Sequence, residues 1–383
     1  MRVGIVYDCI FPFDTGGGER VYRAMADRML ASGHDVTYVT RSHDSAYPGV
    51  GFRIAEVSQG PLYDSAGART TGGALRFAWG VFKYLAVRRD DFDLLVVSAL
   101  PVLTLIAARA ATLGTRTTLV ADWLEVWPWR KWREYSGAAV GTIATVLQWI
   151  GARATPFNTV NSGFTAQRLR AVRRSSAPLV LGLFDLTPTE VRVTGRSEPP
   201  VALFVGRWIA DKRVDLLPAA IRRAREKVPA LECVIVGSGT EEGVIDEQIR
   251  AVGGEAYIRL RGRVDDATLD ELMSQAAVLV NPSAREGFGL VVTESAARGV
   301  PVVVVSGEDN ASVELVAPGI NGFVARDASP AVLGDAIADA VLGGTDLRTS
   351  TAAWYAEMTA ANSFDRSVAD LISLAESRNP SPS

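Results

Sequence analysis

The regular alternation of strands and helices is the feature that most limits how this chain can fold. Short apolar runs rich in β-branched residues, such as VGIVYD and VALFVG, alternate with longer stretches of helical periodicity, such as ERVYRAMADRMLASG. A continuous apolar run is typical of a strand buried on both faces, because helices cover both faces of a parallel sheet. The sequence therefore predicts an α/β fold with doubly wound parallel sheets.

One interruption of this alternation predicts two domains. The stretch LTPTEVRVTGRSEPP has no apolar periodicity and contains three prolines, as a linker between compact bodies often does. We expect two doubly wound, Rossmann-like domains facing a central cleft, at residues 1–185 and 200–345, joined by a linker at 186–200. Residues 346–378 are expected to form C-terminal helices that pack back across the cleft, and 379–383 a disordered tail.

Composition excludes several classes of function. The 40 basic and 43 acidic residues give a net charge of −3, which provides no attraction for polyanions, so no nucleic-acid partner is expected. With two histidines and no cluster of Cys or His, a zinc site has too few ligands, and no cofactor is expected. Cys9 and Cys233 fall in predicted strands of different halves, so no disulfide is expected between them. The first apolar run is too short for a signal peptide, and we therefore expect a cytoplasmic protein.

Two cations follow the first strand of the second half. Arg207 comes directly after VALFVG, and Lys212 stands five residues later, before a predicted helix. Ligands of open α/β sheets bind at the carboxyl ends of strands, and an Arg with a Lys at such an end suits a diphosphate. Two solvated loop cations remain the alternative interpretation.

Two carboxylates flank a glycine-containing turn after the strand AVLVNP. Glu286 precedes Gly287-Phe288-Gly289, and Glu294 lies on the helix that follows. Glycines at a helix start let backbone N–H groups approach a phosphate, and the carboxylates are suited to accept hydrogen bonds from sugar hydroxyls. Alternatively, both are carboxylates stabilised near a helix N-terminus by the helix dipole.

Weaker motifs occur elsewhere in the chain. The glycines of DTGGGERV and the SGT that follows ECVIVG are candidate phosphate contacts, but neither completes a dinucleotide motif. Asp91-Phe92-Asp93 has the D-x-D form of some metal sites, yet Asp93 is explained more simply as the residue that opens the strand LLVVS, so we expect metal independence.

Two segments combine aromatic and basic residues. VADWLEVWPWRKWREYSG holds four of the eight tryptophans, and RFAWGVFKYLAVRR is flanked by arginines. Such segments indicate an acceptor-stacking wall, a peripheral membrane contact, or core packing from which Arg side chains reach solvent. The charge-free run from Tyr135 to Ala152 contains too many polar and small residues for a membrane span and favours a buried or membrane-surface helix.

Together these motifs resemble those of the retaining glycosyltransferases of family four, GT-B enzymes that use nucleotide sugars. GRWIADKR resembles the family's G-R-x4-K element and EGFGLVVTE its E-x7-E element, and the resemblance covers nearly the whole chain. It implies that Arg207 and Lys212 neutralise the donor diphosphate, that Glu286 contacts the donor sugar and that Glu294 holds the ribose. The resemblance also implies donor contacts from Phe288, Gly289 and Leu290 at the phosphates, Arg263 and Val264 at the base, and Gly17 and Gly18 from the first domain.

The chain departs from this family pattern at Leu124. DWLEVW resembles the family's D-W-H-E-V-W segment, in which a histidine lies near the C6 hydroxyl of the donor. We therefore expect a donor without a polar C6 hydroxyl, a 6-deoxysugar or a pentose, with Asp122 or Glu125 supplying part of the histidine's polar role.

The resemblance implies metal-independent transfer with retention, in which the leaving phosphate assists front-face attack. The acceptor is a small molecule, a glycan or a glycolipid. Alternatives are a catalytically impaired nucleotide-sugar-binding protein and a GT-B-type epimerase or phosphorylase.

Overall fold

The computed structural model describes residues 1–14, 16–43, 46–47, 49–61, 70–175, 177–186 and 195–378. The chain divides into two compact units, Met1–Leu186 with Asn362–Ser383, and Thr187–Ala361. Most of the predicted linker, residues 187–194, and the tail predicted to be disordered, 379–383, lie outside the described residues.

The first unit is built on a seven-stranded sheet in which every strand pairing is parallel. Its spatial order is β3-β2-β1-β4-β5-β6-β7, so the chain adds strands to one side of β1 and then returns to add β4 on the other side. This is the doubly wound order, with its switch point between β1 and β4. The strands are β1 (Arg2–Val6), β2 (Asp35–Arg41), β3 (Arg53–Ser58), β4 (Leu94–Ser98), β5 (Thr118–Trp123), β6 (Phe157–Val160) and β7 (Leu179–Val180).

Helices cover this sheet as the apolar strands require. Phe77 and Val81 of α2 and Leu105 of α3 share one buried core with Leu95 and Val97 of β4. The helices are α1 (Gly17–Ala31), α2 (Thr71–Val87), α3 (Val102–Ala111), α4 (Trp129–Ser136), α5 (Ala138–Gly151) and α6 (Gly163–Val172).

The second unit repeats the same winding with a six-stranded parallel sheet, in the order β10-β9-β8-β11-β13-β15. A separate two-residue pairing joins β12 to β14. The strands are β8 (Val201–Val205), β9 (Glu232–Val236), β10 (Ile258–Gly262), β11 (Val278–Asn281), β12 (Arg285–Glu286), β13 (Val302–Val305), β14 (Asp309–Asn310) and β15 (Gly322–Ala325). Its helices are α7 (Leu217–Ala224), α8 (Glu242–Ala251), α9 (Asp266–Gln275), α10 (Leu290–Ala296), α11 (Pro330–Leu342) and α12 (Gly344–Ala361).

Two doubly wound α/β units confirm the predicted fold class. The ten apolar runs that predict strands are VGIVYD, DVTYVT, FRIAEV, DLLVVS and RTTLVAD in the first half and VALFVG, ECVIVG, YIRLRG, AVLVNP and VPVVVV in the second. Each of them contains all or most of a strand of the structure. The strands β6, β7, β12, β14 and β15 were not predicted.

The C-terminal helices belong to different units. In α12, the buried guanidinium of Arg348 donates to the carbonyls of Ala276 and Ser274, at 2.6 and 3.0 Å, which holds α12 in the second unit. The final helix, α13 (Phe364–Arg378), contacts α1 in the first unit, and the Gly182 amide donates to Ser367 Oγ at 2.8 Å. Within the described residues, no helix has both the length and the apolar character needed to cross a membrane.

Candidate functional site

The loops that follow β8, β9 and β10 contact one another at the carboxyl edge of the second sheet. The backbone N–H of Trp208 donates to the Ser238 carbonyl at 2.9 Å, and Arg263 Nε donates to Ser238 Oγ at 3.0 Å. Trp208 is buried, whereas its neighbour Arg207 is exposed and makes no hydrogen bond or ion pair with a described residue. The buried tryptophan thus anchors the loop, and the Arg207 guanidinium projects toward solvent. Val264, beside Arg263, is partly exposed.

The second predicted cation is paired with the first predicted carboxylate. Lys212 Nζ donates to Glu286 Oε1, and the two side chains are only 20% and 14% exposed. Ser283 Oγ lies 3.1 Å and Asn281 Nδ2 3.3 Å from the same oxygen. One partly shielded carboxylate oxygen therefore faces three donor groups.

Asn281 and Ser283 were missed by the sequence analysis. Their signal was position, since the strand β11 ends at Asn281 and the next residues, Pro282 and Ser283, begin the loop that carries Glu286.

A second ion pair runs beside the first. Arg285 Nη2 lies 2.9 Å from Asp211 Oδ2, and the Ala284 amide donates to the Asp211 carbonyl at 2.9 Å. Asp211 and Lys212 share one 3₁₀ turn, while Arg285 and Glu286 make up β12. Two adjacent ion pairs thus join the same two short segments and fix the Lys212 ammonium relative to the Glu286 carboxylate.

The turn after Glu286 depends on a glycine. Gly289 precedes α10 with φ +106° and ψ 59°, a left-handed conformation that is costly for other residues. A Cβ at Gly289 would lie 2.8 Å from Ser312 Cβ. Phe288 is buried, Leu290 begins α10, and Glu294 follows one turn later with a partly exposed side chain.

In the first unit, Asp122 is a buried hydrogen-bond acceptor at the end of β5. Tyr22 Oη donates to its Oδ2 at 2.6 Å, and Thr159 Oγ1 donates to its Oδ1 at 2.5 Å. Burial raises the pKa of the Asp122 carboxyl, although these two hydrogen bonds oppose the shift. Burial, with the adjacent Asp122 charge, also raises the pKa of Tyr22. Asp122 therefore joins β5 to α1 and β6.

Gly18 and Leu124 come together although they are far apart in sequence. A Cβ at Gly18 would lie 2.9 Å from Leu124 Cδ1 and 3.0 Å from Tyr7 Oη, so the start of α1 closely approaches the loop after β5. Gly17 is the first residue of α1, and Glu125 accepts a hydrogen bond from Trp127 Nε1. The two segments that the resemblance singled out in the first half are thus neighbours.

The D-x-D pair does not lie at the carboxyl edge of the sheet. Asp93 comes directly before β4, at its amino end, where its carboxylate accepts from the Arg2 backbone N–H at 2.7 Å and from the Arg2 guanidinium at 3.2 Å. In the part of the chain that the structure describes, no group of three or more His, Cys, Asp or Glu side chains is arranged to hold a metal ion.

Two family models match, one for each unit. Residues 15–180 match "Glycosyltransferase Family 4", and residues 188–353 match "Glycosyl transferases group 1".

Known proteins are similar to parts or to the whole of the chain. The UDP-N-acetylglucosamine–peptide N-acetylglucosaminyltransferase GtfA subunit of Streptococcus gordonii is 31% identical over 106 residues, 28% of this chain and 20% of that protein. Matches to the first two curated relatives span only 20% and 22% of their length. The phosphatidyl-myo-inositol mannosyltransferase of Mycobacterium leprae is 29% identical over 327 residues, 79% of this chain and 78% of that protein.

The solved structure of sucrose-phosphate synthase from Thermosynechococcus elongatus has the same fold. Its TM-score is 0.77 at 17% identity, with 99% of this chain and 98% of that chain covered. Each half of the chain thus matches a glycosyltransferase family model, and the fold matches that of the solved structure over nearly the whole chain. The chain belongs to the group 1, family 4 glycosyltransferases of GT-B fold.

Proposed function

We propose that this chain is a retaining, metal-independent glycosyltransferase that moves a sugar from a nucleotide-diphosphate donor to a hydroxyl group of an acceptor. The observation that carries the proposal is the Lys212–Glu286 pair at the carboxyl edge of the second sheet, with Arg207 exposed on the same loop as Lys212. The name of the Streptococcus gordonii relative specifies UDP-N-acetylglucosamine, which supports a nucleotide sugar as donor.

The diphosphate is the group that these cations suit. It leaves with its negative charge in the transition state, so preorganised positive groups lower the barrier. Arg207 is exposed and unpaired among the described residues, and the Lys212 ammonium has three N–H donors, of which Glu286 takes one. Glu286 then accepts from donor-sugar hydroxyls, and Glu294 from the ribose.

Retention follows if attack and departure occur on the same face of the sugar. The bond from C1 to the phosphate oxygen breaks, an oxocarbenium-like ring develops, and the acceptor oxygen bonds to C1 while its proton passes to the departing phosphate. The products are the glycoside and a nucleoside diphosphate. This route needs no protein nucleophile.

Leu124 supports a donor without a C6 hydroxyl, a 6-deoxysugar or a pentose. Its apolar side chain stands where the family has histidine, and a hydroxyl buried against it without a partner costs about 1–3 kcal/mol, or about 5–150-fold in rate. Leu124→His should shift preference toward hexoses that carry the hydroxyl. A wild-type enzyme that prefers an ordinary hexose would contradict this donor assignment.

The same leucine favours one alternative, a nucleotide-sugar-binding protein without turnover, because the usual histidine near the reacting centre is absent. A nucleotide-sugar epimerase or phosphorylase of the same fold is another. A binding protein predicts no product, an epimerase predicts a nucleotide sugar of changed configuration, and a phosphorylase predicts a sugar phosphate formed from a glycoside and inorganic phosphate.

The test is turnover of nucleotide sugars in the presence of EDTA. Wild type, Lys212→Ala and the control Lys227→Ala are incubated with an alcohol as acceptor and with UDP-glucose, GDP-mannose, dTDP-rhamnose or UDP-xylose as donor, and nucleoside diphosphate release is measured by chromatography. Lys227 is a matched control since it is also an ion-paired lysine of the second unit, bonded to Asp335 and Asp339. We expect release by wild type and by the control, loss in Lys212→Ala, and a glycoside with the donor's anomeric configuration by NMR. Inverted product, or release that requires a divalent cation, would contradict the proposal.

A further inference from the structure

Exposed apolar side chains are concentrated on one part of the first unit. Fifteen large apolar side chains are exposed among the described residues, and eleven of them fall between residues 75 and 150. They lie on α2, α4 and α5 and in the turn after α3, and are Leu75, Trp79, Val87, Leu113, Trp129, Tyr135, Val140, Ile143, Val146, Trp149 and Ile150.

The helix α5 has an inverted pattern. Its buried residues are Gly141, Gln148 and Gly151, whereas four of its aliphatic residues are exposed, namely Val140, Ile143, Val146 and Ile150. Gln148 is held inside by the backbone of Trp127, accepting from its N–H at 3.0 Å and donating to its carbonyl at 2.7 Å. A Cβ at Gly141 would lie 2.5 Å from the Trp132 carbonyl oxygen, so α4 is in close contact there. The packing therefore fixes α5 with its apolar face outward.

These helices form one layer. α2 contacts α3, α3 contacts α5, and α5 contacts α4. Phe77 of α2, Leu105 of α3 and Ala152 next to α5 share the same core against the sheet. Their outer sides consequently make up a continuous surface, which we call the α2–α5 surface.

The charge of the α2–α5 surface differs from that of the whole chain. The four helices contain six basic residues and a single acidic one, Glu134, although acidic residues outnumber basic ones in the complete sequence. The basic residues are Arg76, Lys83, Arg109, Arg130, Lys131 and Arg133.

Cations on this surface stack against its exposed tryptophans. Lys83 Nζ lies 6.0 Å from the ring centre of Trp79, Arg133 Cζ 5.2 Å from that of Trp129, and Arg153 Cζ 3.8 Å from that of Trp149. An amphipathic ring beside a long cationic side chain is the combination found at lipid–water interfaces, where the ring enters the headgroup layer and the cation meets lipid phosphates.

We propose that the α2–α5 surface docks onto an anionic phospholipid bilayer. Outward aliphatic residues supply burial among the acyl chains, and the excess of Arg and Lys supplies attraction to anionic headgroups. Anionic lipid phosphates match the charge of these six basic residues, whereas a protein partner would need an acidic surface of its own to match them. The proposal goes beyond the transfer reaction and does not depend on it.

The test is co-sedimentation of the full chain with phosphatidylcholine vesicles, with and without phosphatidylglycerol. Ile143→Ser/Val146→Ser removes two exposed aliphatic residues of α5, and Lys83→Gln/Arg133→Gln removes two cations. The matched control, Ile320→Ser/Leu342→Ser, changes residues of the second unit with similar exposure, 48% and 63% against 60% and 53%. Circular dichroism establishes that each variant is folded.

We expect wild type and control to bind vesicles that contain phosphatidylglycerol, with binding weakened by salt. The aliphatic variant should bind at least about tenfold more weakly. The cation variant should lose about fivefold of the preference for anionic over neutral vesicles for each of the two cations removed. Absence of wild-type binding, or equal loss in the control, would overturn the proposal. So would a wild-type dimer in light scattering that the aliphatic variant abolishes, because the surface would then be an interface between two copies. Nucleotide-sugar turnover is measured in a separate assay, so membrane docking and glycosyl transfer can each be refuted without affecting the other.

Discussion

Replacement of Gly289 by alanine should destabilise the second unit through two separate physical effects. The backbone at Gly289 has φ +106°, and a left-handed conformation costs a residue with a Cβ roughly 1–2 kcal/mol. The added Cβ would also lie 2.8 Å from Ser312 Cβ, closer than carbon atoms approach one another without a shift.

The magnitude follows from adding these effects. Ser312 cannot move freely, because its Oγ and backbone N–H both donate to Asn310 Oδ1, and the Asn310 side chain in turn donates to the carbonyls of Ser283 and Val305. Overpacking at such a position costs about 1–3 kcal/mol. The free energy of unfolding should therefore fall by about 2–5 kcal/mol.

The assay is urea denaturation of wild type, Gly289→Ala and Gly243→Ala. Gly243 is the control because it lies on α8 with no atom within 4 Å of its added Cβ and no positive φ. Alanine there should stabilise by about 0.5–1 kcal/mol, since glycine is unfavourable inside a helix. Equal stability of Gly289→Ala and wild type would refute the reasoning.

Three other predictions concern residues that form hydrogen bonds or ion pairs within one of the two units. Burial raises the pKa of Asp122, so the folded state loses stability relative to the unfolded chain as the pH rises from about 4 through the raised pKa. Asp122→Asn removes this titration. Urea denaturation should therefore show that the unfolding free energy of wild type minus that of the variant falls across this pH range. A difference that rises with pH would contradict it. Arg348→Ala should cost about 2–4 kcal/mol, because two charge-assisted hydrogen bonds to carbonyls are lost, whereas Arg326→Ala at an exposed site should cost under about 0.5 kcal/mol by the same assay. Asp211→Asn weakens the Asp211–Arg285 ion pair beside Lys212–Glu286. We expect the free energy of unfolding to fall by under about 1 kcal/mol and the donor KM in steady-state kinetics to rise by up to about fivefold. An unchanged KM would show that the Asp211–Arg285 pair has no part in donor binding.

The sheets were predictable where a strand is a continuous apolar run. VPVVVV and LLVVS are short, continuous runs rich in valine and leucine, which is typical of strands buried inside a parallel sheet, and both contain strands. The strands β6 and β15 were missed because each has four residues and is interrupted in composition, FNTV by Asn and Thr and GFVA by a glycine. Short runs of this kind give no periodicity, so only their pairing partners in the sheet define them.

The site was predictable as far as local motifs extend. The sequence motifs selected Lys212 and Glu286, and the structure brings these two side chains together. The Asp211–Arg285 pair beside them depends on how two loops meet in space, which the spacing of residues along the chain does not encode. Asp122 likewise receives its hydrogen bond from Tyr22, one hundred residues earlier. For α5, the charge-free sequence predicted a buried or membrane-surface helix, and only the inward placement of Gln148 shows which side of the helix faces solvent.

The most direct test of the central claim is calorimetric titration of the purified chain with UDP, GDP, dTDP and ADP in the presence of EDTA. Arg207→Ala, Lys212→Ala and the control Lys227→Ala are titrated in parallel. We predict selective binding of one nucleoside diphosphate, unchanged in the control and weakened about 10–150-fold in both site variants, since each variant loses a charge-assisted hydrogen bond to phosphate. Binding that both site variants retain in full, or no binding of any nucleoside diphosphate by wild type, would contradict it.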